Sequence, residues 1–370
     1  MNHLKRLQLN KKILVALSGG VDSAVSAYLL QKEGYAVEGV FFRSWQNETE
    51  LWKECPWKED LASARSVAQH LQIPFQVINF IDVYRQKVVD YLIEGYRSGQ
   101  TPNPDVMCNR YIKFGILVEH MRQTGFDGLA TGHYCQKTTV SGHFSLYEGS
   151  DSTKDQSYFL CLVQRSNLEC VHFPLGTLTK KTVRQIAQEI GLPNAQRKDS
   201  QGICFLGSSN VPIQTFLEKY IPDQEGPIVH IDGRVLGTHR GLHRYTIGQR
   251  KGIGLPSNHD FEHYVVVAKD YSNGSLVVGF DHPTTQGLYA THAQIGFLNW
   301  LEEPPADGEV LLAKPRYRDN AQLITWQWKD KDTAAIEFHR PQRALAVGQA
   351  IAFYRGSCLI GGGIYQAVVH

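Results

Sequence analysis

The chain has 370 residues, a formal net charge of +2 at pH 7, 42% hydrophobic residues and 20% charged residues. This composition is typical of a globular protein and excludes disordered and fibrous chains. The length predicts two or three domains. Because the net charge is small, any attraction for nucleic acid must come from local basic clusters.

The sequence carries no pattern for membrane insertion or secretion. No apolar stretch approaches the ~20 residues of a spanning helix, and residues 1–10 lack the apolar core of a signal peptide. We therefore expect a cytosolic protein with no membrane partner. The seven cysteines form no CxxC pair and no metal-type spacing, which predicts free thiols in a reducing compartment.

The first predicted unit is a strand, a turn and a helix. Residues 13–17 are a short apolar run with β-branched side chains, typical of a strand buried on both faces. Ser18-Gly19-Gly20 breaks this run, and residues 21–32 have apolar side chains at helical spacing. Backbone N–H groups at such a helix start form a site for phosphate or pyrophosphate. The turn is not a Walker A loop, because no Gly-Lys-Ser/Thr follows.

Asp22 adds a carboxylate beside this site, which suits a Mg²⁺ ion that bridges phosphate oxygens. The alternative is an ordinary strand–turn–helix corner. A serine before the glycines and Asp22-Ser23 after them favour nucleotide phosphate binding. The opening unit therefore predicts that the chain uses ATP.

The rest of the first half alternates strand-like and helix-like segments. The predicted strands are 36–42, 75–80 and 128–131, and the predicted helices are 58–71, 83–97, 111–123 and 179–190. This order predicts a doubly wound, mostly parallel α/β sheet with helices on both faces. The ligand of such a sheet lies at the carboxyl ends of the strands, where the opening turn also lies.

Three segments interrupt the alternation. Residues 45–57 are a polar loop with aromatic side chains, and residues 99–105 are a stiff, non-helical loop. Residues 137–149 are predicted to form a hairpin that projects from the sheet.

The second half of the chain has a different sequence pattern. From about residue 222 the segments are short and separated by Gly and Asn-Gly turns, which predicts two small β-rich or β-barrel domains. We place the domain boundaries near residues 208 and 288. The predicted domains are therefore 1–208, 209–288 and 289–370.

Cys108 is the first candidate for nucleophilic chemistry. It lies at the predicted start of helix 111–123 and next to Arg110, and both features favour a thiolate. Asp105, three residues earlier, is close enough to act as a base or to anchor a substrate. The structural alternative makes Cys108 a small residue near the cap and Asp105 the N-cap itself.

Cys204 is the second candidate. It lies in a loop with a nearby glycine and with Lys198 and Asp199, which indicates a mobile, accessible thiol. A half-buried structural cysteine is the alternative. Two further cysteines are predicted to be core residues, Cys161 and Cys170. No role is assigned to Cys55, Cys135 and Cys358.

Thr131-Gly132-His133 follows a predicted buried strand and should emerge at the same sheet edge as the opening turn. Gly132 could let a nucleobase approach the backbone. His133 could contact substrate, and a structural histidine is the alternative.

Three polar clusters complete the candidates. Lys154-Asp155-Gln156 precedes a buried segment, and residues 314–318 combine basic and aromatic groups suited to phosphate contact and base stacking. Residues 246–254 form a second basic, glycine-rich loop. Solvated surface charge is the alternative for each cluster.

Five of these segments, in this order, resemble motifs of the tRNA-uridine 2-sulfurtransferase (tRNA-specific 2-thiouridylase) family. They are SGGVDS at 18–23, NPDVMCN at 103–109, ATGHY at 130–134, KDQSYFL at 154–160 and DSQGICF at 199–205. The segments YTIGQRKG at 245–252 and RYR at 316–318 also resemble the family. Five ordered motifs across most of the chain are far more specific than any one of them.

The resemblance implies an ATP-pyrophosphatase-type (adenine nucleotide alpha hydrolase-like) catalytic domain followed by a β-rich domain and a tRNA-binding β-barrel. This enzyme would adenylate the C2 oxygen of the wobble uridine (position 34) in certain tRNAs and release pyrophosphate. A persulfide on Cys204 would then deliver sulfur, and AMP would leave. The persulfide would come from a sulfur donor protein, such as a cysteine desulfurase or a relay protein.

The resemblance also implies roles for individual residues. Cys108 would be the nucleophile, either releasing sulfide from the persulfide or closing a transient disulfide with Cys204, and Asp105 would assist at the base. ATP would be contacted by Ala16, Leu17, Ser18, Gly19, Gly20, Val21, Asp22, Ser23, Phe42 and Gly132. The tRNA would be contacted by Asn103, Pro104, Asp105, His133, Lys154, Asp155, Gln156, Arg316, Tyr317 and Gln349.

Two features depart from the family pattern. Residues 45–57 have no counterpart that we can place, and Cys135 adds a third thiol near the presumed site. Two alternative functions also remain. Another ATP-pyrophosphatase-type RNA-modifying sulfurtransferase or ligase would not need Asp105, Cys108 and Cys204 together, and a non-catalytic RNA-binding protein would have no use for a pyrophosphate site.

Overall fold

The computed structural model describes residues 11–45, 56–199, 212–256 and 262–369. Its first sheet has five parallel strands in the order β3-β2-β1-β4-β7. The strands of the first half are β1 Lys12–Ala16, β2 Ala36–Arg43, β3 Phe75–Asn79, β4 Gly128–Ala130, β5 Cys135–Val140, β6 His143–Glu148 and β7 Val171–His172. The middle of β1 is fully buried, as its continuous apolar run predicts for a strand covered on both faces.

Helices cover this sheet. The helices are α1 Val21–Glu33, α2 Pro56–His70, α3, α4, α5 Arg165–Leu168, α6 Lys180–Glu189 and α7 Ile213–Leu217. Helix α3 runs through Ile81–Tyr84, a π-helical stretch Arg85–Val89 and Asp90–Arg97. Helix α4 runs through Pro104–Met107, a π-helical stretch Cys108–Ile116 and Leu117–Gln123. Short 3₁₀ turns lie at Ser157–Leu160 and Leu242–Arg244.

Helix α4 corrects the prediction of a helix at 111–123 and of a non-helical loop through residue 105. It begins at Pro104, because the Asn103 side chain caps it by accepting a 3.2 Å hydrogen bond from the Val106 N–H. Proline at the first helical position costs no hydrogen bond there. Asn103 is therefore the N-cap, and Asp105 and Cys108 lie within the helix. By contrast, the predicted capped helix after Thr179 is confirmed, since the Thr179 side chain accepts from the Thr182 N–H.

The chain order of the first sheet creates a crevice beside β1. The chain moves outward from β1 to β2 and β3 and then returns to β4 on the other side of β1. Between strands that diverge in this way, the connections leave an opening at the carboxyl ends. The turn after β1 and the segment after β4 flank this opening.

Two further sheets follow. The second contains β8 Gly226–His230, β9 Val235–His239, β10 Tyr264–Asp270 and β11 Ser275–Phe280. The third contains β12 Tyr289–Trp300, β13 Val310–Lys314, β14 Gln322–Trp328, β15 Ala334–Arg343, β16 Ala350–Arg355 and β17 Cys358–Val369. Pairing of β12 with both β15 and β17 closes this sheet into a barrel. The predicted fold class is confirmed.

The predicted hairpin at 137–149 forms as β5 and β6, but it does not simply project from the first sheet. Strand β6 pairs with β17 through Cys358–Tyr147 and Leu359–Leu146. The hairpin therefore continues the third sheet and joins the first half of the chain to the barrel. Among the described residues, no helix is long and apolar enough to cross a membrane.

Candidate active site

The turn after β1 is held by its own two serines. The Ser18 N–H donates to Ser23 Oγ at 3.2 Å, and the Gly20 N–H donates to Ser18 Oγ at 3.3 Å. Ser23 Oγ also donates to the Gly20 carbonyl. Gly20 occupies the N-cap of α1 without a side chain to cap it. The helix start is therefore shaped for an anion, because first-turn N–H groups have no intrahelical partner.

Gly19, at the apex of this turn, has a positive φ of 81°, a conformation that favours glycine. Its carbonyl oxygen accepts three hydrogen bonds from outside the turn. The donors are Ser63 Oγ at 2.7 Å, Asn194 Nδ2 at 2.9 Å and Arg197 Nη1 at 3.1 Å. Arg197 is also paired with Asp60 of α2. None of these residues was predicted from sequence.

Asp22 is the most heavily paired group at the turn. Both of its carboxylate oxygens accept from Lys180 Nζ, at 2.7 and 2.8 Å, and Oδ1 also accepts from the Tyr134 hydroxyl at 2.8 Å. Burial and the neighbouring Asp22 charge raise the pKa of Tyr134, so the phenol stays protonated and donates. Neither Tyr134 nor Lys180 is among the site residues predicted from sequence.

Mg²⁺ was predicted at Asp22. The described residues contain no group of three or more His, Cys, Asp or Glu side chains that could hold a metal. Mg²⁺ on a nucleotide needs only one or two carboxylates, because phosphates and water supply its other ligands. Asp22 fits that single-carboxylate role, in competition with the Lys180 ammonium.

Lys180 extends the charge network to Asp199. Its Nζ lies 2.8 Å from Asp199 Oδ1, and Lys154 Nζ and Arg184 Nη2 also pair with this carboxylate. Burial alone would raise the pKa of Asp199, but hydrogen bonds from Lys154 and Lys180 lower it to about 2. Lys154, predicted to contact tRNA, thus bonds within the protein.

The segment after β4 packs directly on the start of α1. A Cβ added at Gly132 would lie 2.7 Å from the Ser23 nitrogen, and Ser26 Oγ donates to the Thr131 carbonyl at 3.2 Å. Glycine is therefore required here by the approach of α1. Phe42, another predicted ATP contact, is half-buried at the end of β2 against Phe80.

His133 is buried beneath this edge. Only 8% of it is exposed, its Nδ1 lies 2.8 Å from Thr131 Oγ1, and its ring lies 5.4 Å from the Phe114 ring of α4. Burial, together with the Lys113 charge, holds the pKa of His133 well below its ordinary value. The neutral ring in this structure supports the packing of α4 under β4.

Cys108 and Asp105 lie at the end of α4 nearest the same edge. Four residues, 124–127, separate the end of α4 from β4, so α4 runs antiparallel to the strands and its first turns lie towards their carboxyl ends. Cys108 is 2% exposed. Asn109, next along, donates to the Asp105 carbonyl at 3.1 Å.

The expectation of a Cys108 thiolate is wrong for this structure. Burial raises the pKa of Cys108 to about 11, and the Asp105 charge adds to the rise, while the Lys113 charge and a hydrogen bond with Tyr84 oppose it. Arg110 does not help, because its guanidinium bonds the Leu162 carbonyl and lies 4.8 Å from the Phe297 ring. The thiol is protonated inside the core.

Several sequence candidates fall outside the described residues. Cys204, Cys55 and most of the segment 45–57 belong to this group, so their roles stay predictions. At the edges of that segment, Trp45 packs on Phe216 and Trp57 lies under the Arg43 guanidinium. Cys135 is a buried thiol at the start of β5 whose Sγ donates to the Tyr147 carbonyl.

The cluster at 314–318 meets the KDQSYFL segment rather than solvent. Only 13% of the Lys314 side chain is exposed, and its Nζ pairs with Glu148 at 2.5 Å and with Asp155 at 2.7 Å, so the alternative of a solvated surface charge does not hold for it. The Tyr317 ring lies 4.3 Å from the Phe159 ring. These contacts join the barrel to the first half of the chain.

The remaining predicted tRNA contacts are partly engaged within the protein. Gln156 accepts from the Tyr134 N–H at 3.1 Å. Arg316 pairs with Asp319 at 2.9 Å and donates to the Ala344 carbonyl. Gln349 is half-buried, and its carbonyl accepts from the Tyr365 N–H.

Comparison with known proteins covers most of the chain. Family models match residues 11–208 (tRNA methyl transferase HUP domain), 214–280 (tRNA methyl transferase PRC-barrel domain) and 290–365 (aminomethyltransferase beta-barrel domain). Among solved structures, a complex of a 4-thiouridine synthetase with RNA and bound ATP covers 57% of this chain and 50% of its own, with 19% identity and a TM-score of 0.36. That similarity is too low to support an argument.

Curated relatives are far more similar. The tRNA-specific 2-thiouridylase MnmA of Akkermansia muciniphila is 46% identical over 96% of this chain and 99% of its own. The proteins of the same name from Dichelobacter nodosus and Lacticaseibacillus paracasei are 44% and 42% identical, covering 96% and 98% of this chain and 94% and 96% of their own. The resemblance predicted from five motifs is therefore confirmed, and the chain belongs to the tRNA-specific 2-thiouridylase family, whose members are tRNA sulfurtransferases.

Proposed function

We propose that this protein uses ATP to replace the C2 oxygen of the wobble uridine, position 34, with sulfur. The observation that carries the proposal is the arrangement of one sheet edge. The turn that contains Asp22, whose N–H groups could bind an anion, lies against Gly132. His133, next to Gly132, packs on α4, and α4 contains Asp105 and Cys108. The proposed phosphate site and the Cys108 thiol would thus share the carboxyl edge of one parallel sheet, which is where such sheets bind ligands.

The first step activates the oxygen. The uridine O2 attacks the α-phosphorus of ATP, a P–O bond to pyrophosphate breaks, and O2 becomes part of an adenylate. The residues proposed to hold ATP are those at 16–23, with Phe42 and Gly132. Helix α1 would contribute its unpaired N–H groups to the phosphates, and Asp22 would serve as the protein ligand of Mg²⁺, which neutralises phosphate charge when bound.

The second step brings sulfur. A donor protein, a cysteine desulfurase or a relay, charges Cys204 as a persulfide. In one version the terminal sulfur attacks C2, AMP leaves with the oxygen, and Cys108 then attacks the Cys204 sulfur to free 2-thiouridine. In the other version Cys108 attacks first, and the hydrosulfide released from the persulfide attacks C2.

The same bonds are broken and formed in both versions of the sulfur-transfer step. The persulfide S–S bond is cleaved, a Cys108–Cys204 disulfide forms, and a cellular thiol reductant must regenerate the two thiols. Free cysteines elsewhere in the described chain, such as Cys161 and Cys170, are compatible with a reducing cytoplasm. The Cys108 proton needs an acceptor, and Asp105 on the same helix is the candidate base.

The tRNA would lie against the sheet edge and the barrel. Asn103 and Pro104 would shape the pocket for the uridine, which must leave its stack to reach Cys108. The proposed tRNA contacts are Arg316, Tyr317 and Gln349 of the barrel, together with His133 and residues 154–156. The domain division at 208 and 288 remains part of the proposal.

The test is direct formation of 2-thiouridine. The protein is incubated with ATP, Mg²⁺, a persulfide donor and unmodified tRNA, and the nucleosides are analysed by mass spectrometry. Cys108→Ser and Cys204→Ser should both abolish the product, whereas Cys170→Ser, a matched removal of a half-buried thiol, should retain it. Activity retained in Cys204→Ser would reject the persulfide assignment, and no product from the unaltered protein would reject the function.

The same reaction separates the alternative enzymes. A ligase or another sulfurtransferase of this type would release AMP and pyrophosphate without 2-thiouridine at position 34. Sequencing the product tRNA for the modified position therefore decides between them.

A further inference from the structure

The contacts around the Gly19 carbonyl form a wall behind the phosphate turn. The wall consists of Ser63 and Asp60 on α2 and of Asn194 and Arg197 in the segment after α6. Three side chains from two separate parts of the chain donate to one backbone oxygen. Such convergence on a single carbonyl fixes one peptide plane firmly.

The fixed peptide is the one between Gly19 and Gly20. In a planar trans peptide the C=O and the following N–H point in opposite directions. Holding the Gly19 oxygen against the wall therefore aims the Gly20 N–H away from it, towards Ser18 Oγ and the start of α1. That is the side on which an anion would bind.

Asn194 is buried against the turn, with its side-chain amide donating to the Gly19 carbonyl. Asn194 is 6% exposed, and its amide oxygen has no hydrogen-bond partner within the described ranges. The amide donor bonded to Gly19 is thus its main compensation for burial. Arg197 crowds the turn as well, since a Cβ added at Gly19 would lie 2.8 Å from its Nη1.

We propose that Arg197, Asn194 and Ser63 are positioning residues that orient the Gly19–Gly20 peptide for the phosphates of ATP. Asp60 in turn orients the Arg197 guanidinium. This inference rests on the proposed use of ATP at the same turn. It adds that nucleotide affinity depends on the segment 194–197, which lies far from the turn in sequence.

The experiment measures binding of ATP, inorganic pyrophosphate and adenosine by calorimetry, together with KM for ATP. Arg197→Met should weaken ATP and pyrophosphate about tenfold or more, the size of a lost hydrogen bond from a charged group, and should leave adenosine and tRNA affinity unchanged. Ser63→Ala, a milder change, should weaken ATP about threefold. Arg197→Lys keeps the charge and one donor and should recover part of the loss.

Arg65→Met is the matched control, because Arg65 is an exposed arginine on the same helix as Ser63. The Arg65→Met variant should bind ATP normally. If the wall were purely structural, the variants would lower the melting temperature of the apo protein and would show no selective loss of affinity for phosphate ligands. Equal loss of adenosine affinity, or unchanged ATP affinity in both Arg197→Met and Ser63→Ala, would overturn the inference. If the unaltered protein bound no ATP, the proposed function would fail with it.

Discussion

The phosphate turn and the Cys108 helix lie at the same sheet edge but are built in opposite ways. The turn is polar and already paired: Asp22 is held by Lys180 and Tyr134, and the Gly19 carbonyl is held by its wall. Cys108 is sealed in an apolar core with Val106, Met107 and Ile112. One half of the proposed site is organised by hydrogen bonds and charge, and the other half is organised by burial.

This difference has a chemical consequence. The polar half is already organised by hydrogen bonds, so it would need little rearrangement to accept phosphate. The buried half holds its thiol protonated, since burial raises the pKa of Cys108 to about 11. Relative to an exposed cysteine, the thiolate fraction at pH 7 is therefore much smaller. The comparison predicts that thiol activation, rather than ATP binding, is the step that requires a change around the site.

Among variants that keep both proposed reactive cysteines, the largest expected effect comes from removing the charge at the turn. Asp22→Asn takes away the carboxylate that pairs with Lys180 and that is proposed to hold Mg²⁺, so thiolation should fall about 100-fold, as for the loss of one preorganised electrostatic group. Single-turnover formation of 2-thiouridine measures the loss. Asp82→Asn, an exposed carboxylate at the start of α3, is the control and should react normally. An Asp22→Asn variant with more than half the normal rate would show that the paired charge does not serve catalysis.

A smaller effect is expected from a change at Asp105, which should alter the reactivity of the Cys108 thiol and the rate of thiolation in opposite directions. Asp105→Asn removes a negative charge that raises the pKa of Cys108, so Cys108 should be alkylated severalfold faster at pH 8 to 9. Thiolation should nevertheless fall about tenfold, because the candidate base is lost. Site-resolved mass spectrometry after iodoacetamide treatment follows Cys108, with buried Cys161 as the internal reference.

Two results of that experiment would contradict the prediction for Asp105. An unchanged alkylation profile for Asp105→Asn would show that burial alone sets the pKa of Cys108. Faster thiolation in step with faster alkylation would show that Asp105 restrains the thiol and does not act as a base.

Local patterns predicted the parts of the molecule that depend on neighbours in sequence. The buried strand β1 and the glycine turn after it could be predicted because a strand covered on both faces leaves a continuous apolar run. The start of α4 could also be predicted from the sequence, since Asn103-Pro104 is an N-cap followed by proline at the first helical position. The prediction of a non-helical loop through residue 105 is wrong because it takes Pro102 and Pro104 as signs of a stiff loop.

The contacts that complete the site could not be predicted in this way. Lys180 reaches Asp22 across 158 positions, and Arg197 reaches Gly19 across 178. Only the fold of the chain makes these pairs neighbours. The pairing of β6 with β17 is of the same kind. So are the ion pairs of Lys314 with Glu148 and Asp155, which its sequence context does not indicate.

The smallest expected effect concerns Asp199, where the charge network of the turn ends. Hydrogen bonds from Lys154 and Lys180 outweigh burial and lower the pKa of Asp199 to about 2. A carboxyl group with a lowered folded-state pKa stabilises the fold fully above its unfolded pKa of about 3.9, and that contribution is lost as the pH falls towards 2. Because about a third of the side chain is exposed, solvent screening reduces the contribution to about 1 kcal/mol.

Asp199→Asn should therefore lower hydrogen-exchange protection in α6 about fivefold at pH 6, after correction for intrinsic exchange rates. The difference from the unaltered protein should shrink at pH 2.5, where Asp199 is almost fully protonated in the unfolded state and partly protonated in the folded state. Glu189→Gln, an exposed change at the end of the same helix, should alter protection at neither pH. An equal loss at both pH values would mean that shape rather than charge at residue 199 supports α6. The network that holds Asp22 would then end at Lys180, and the turn would be independent of the segment that leads to Cys204.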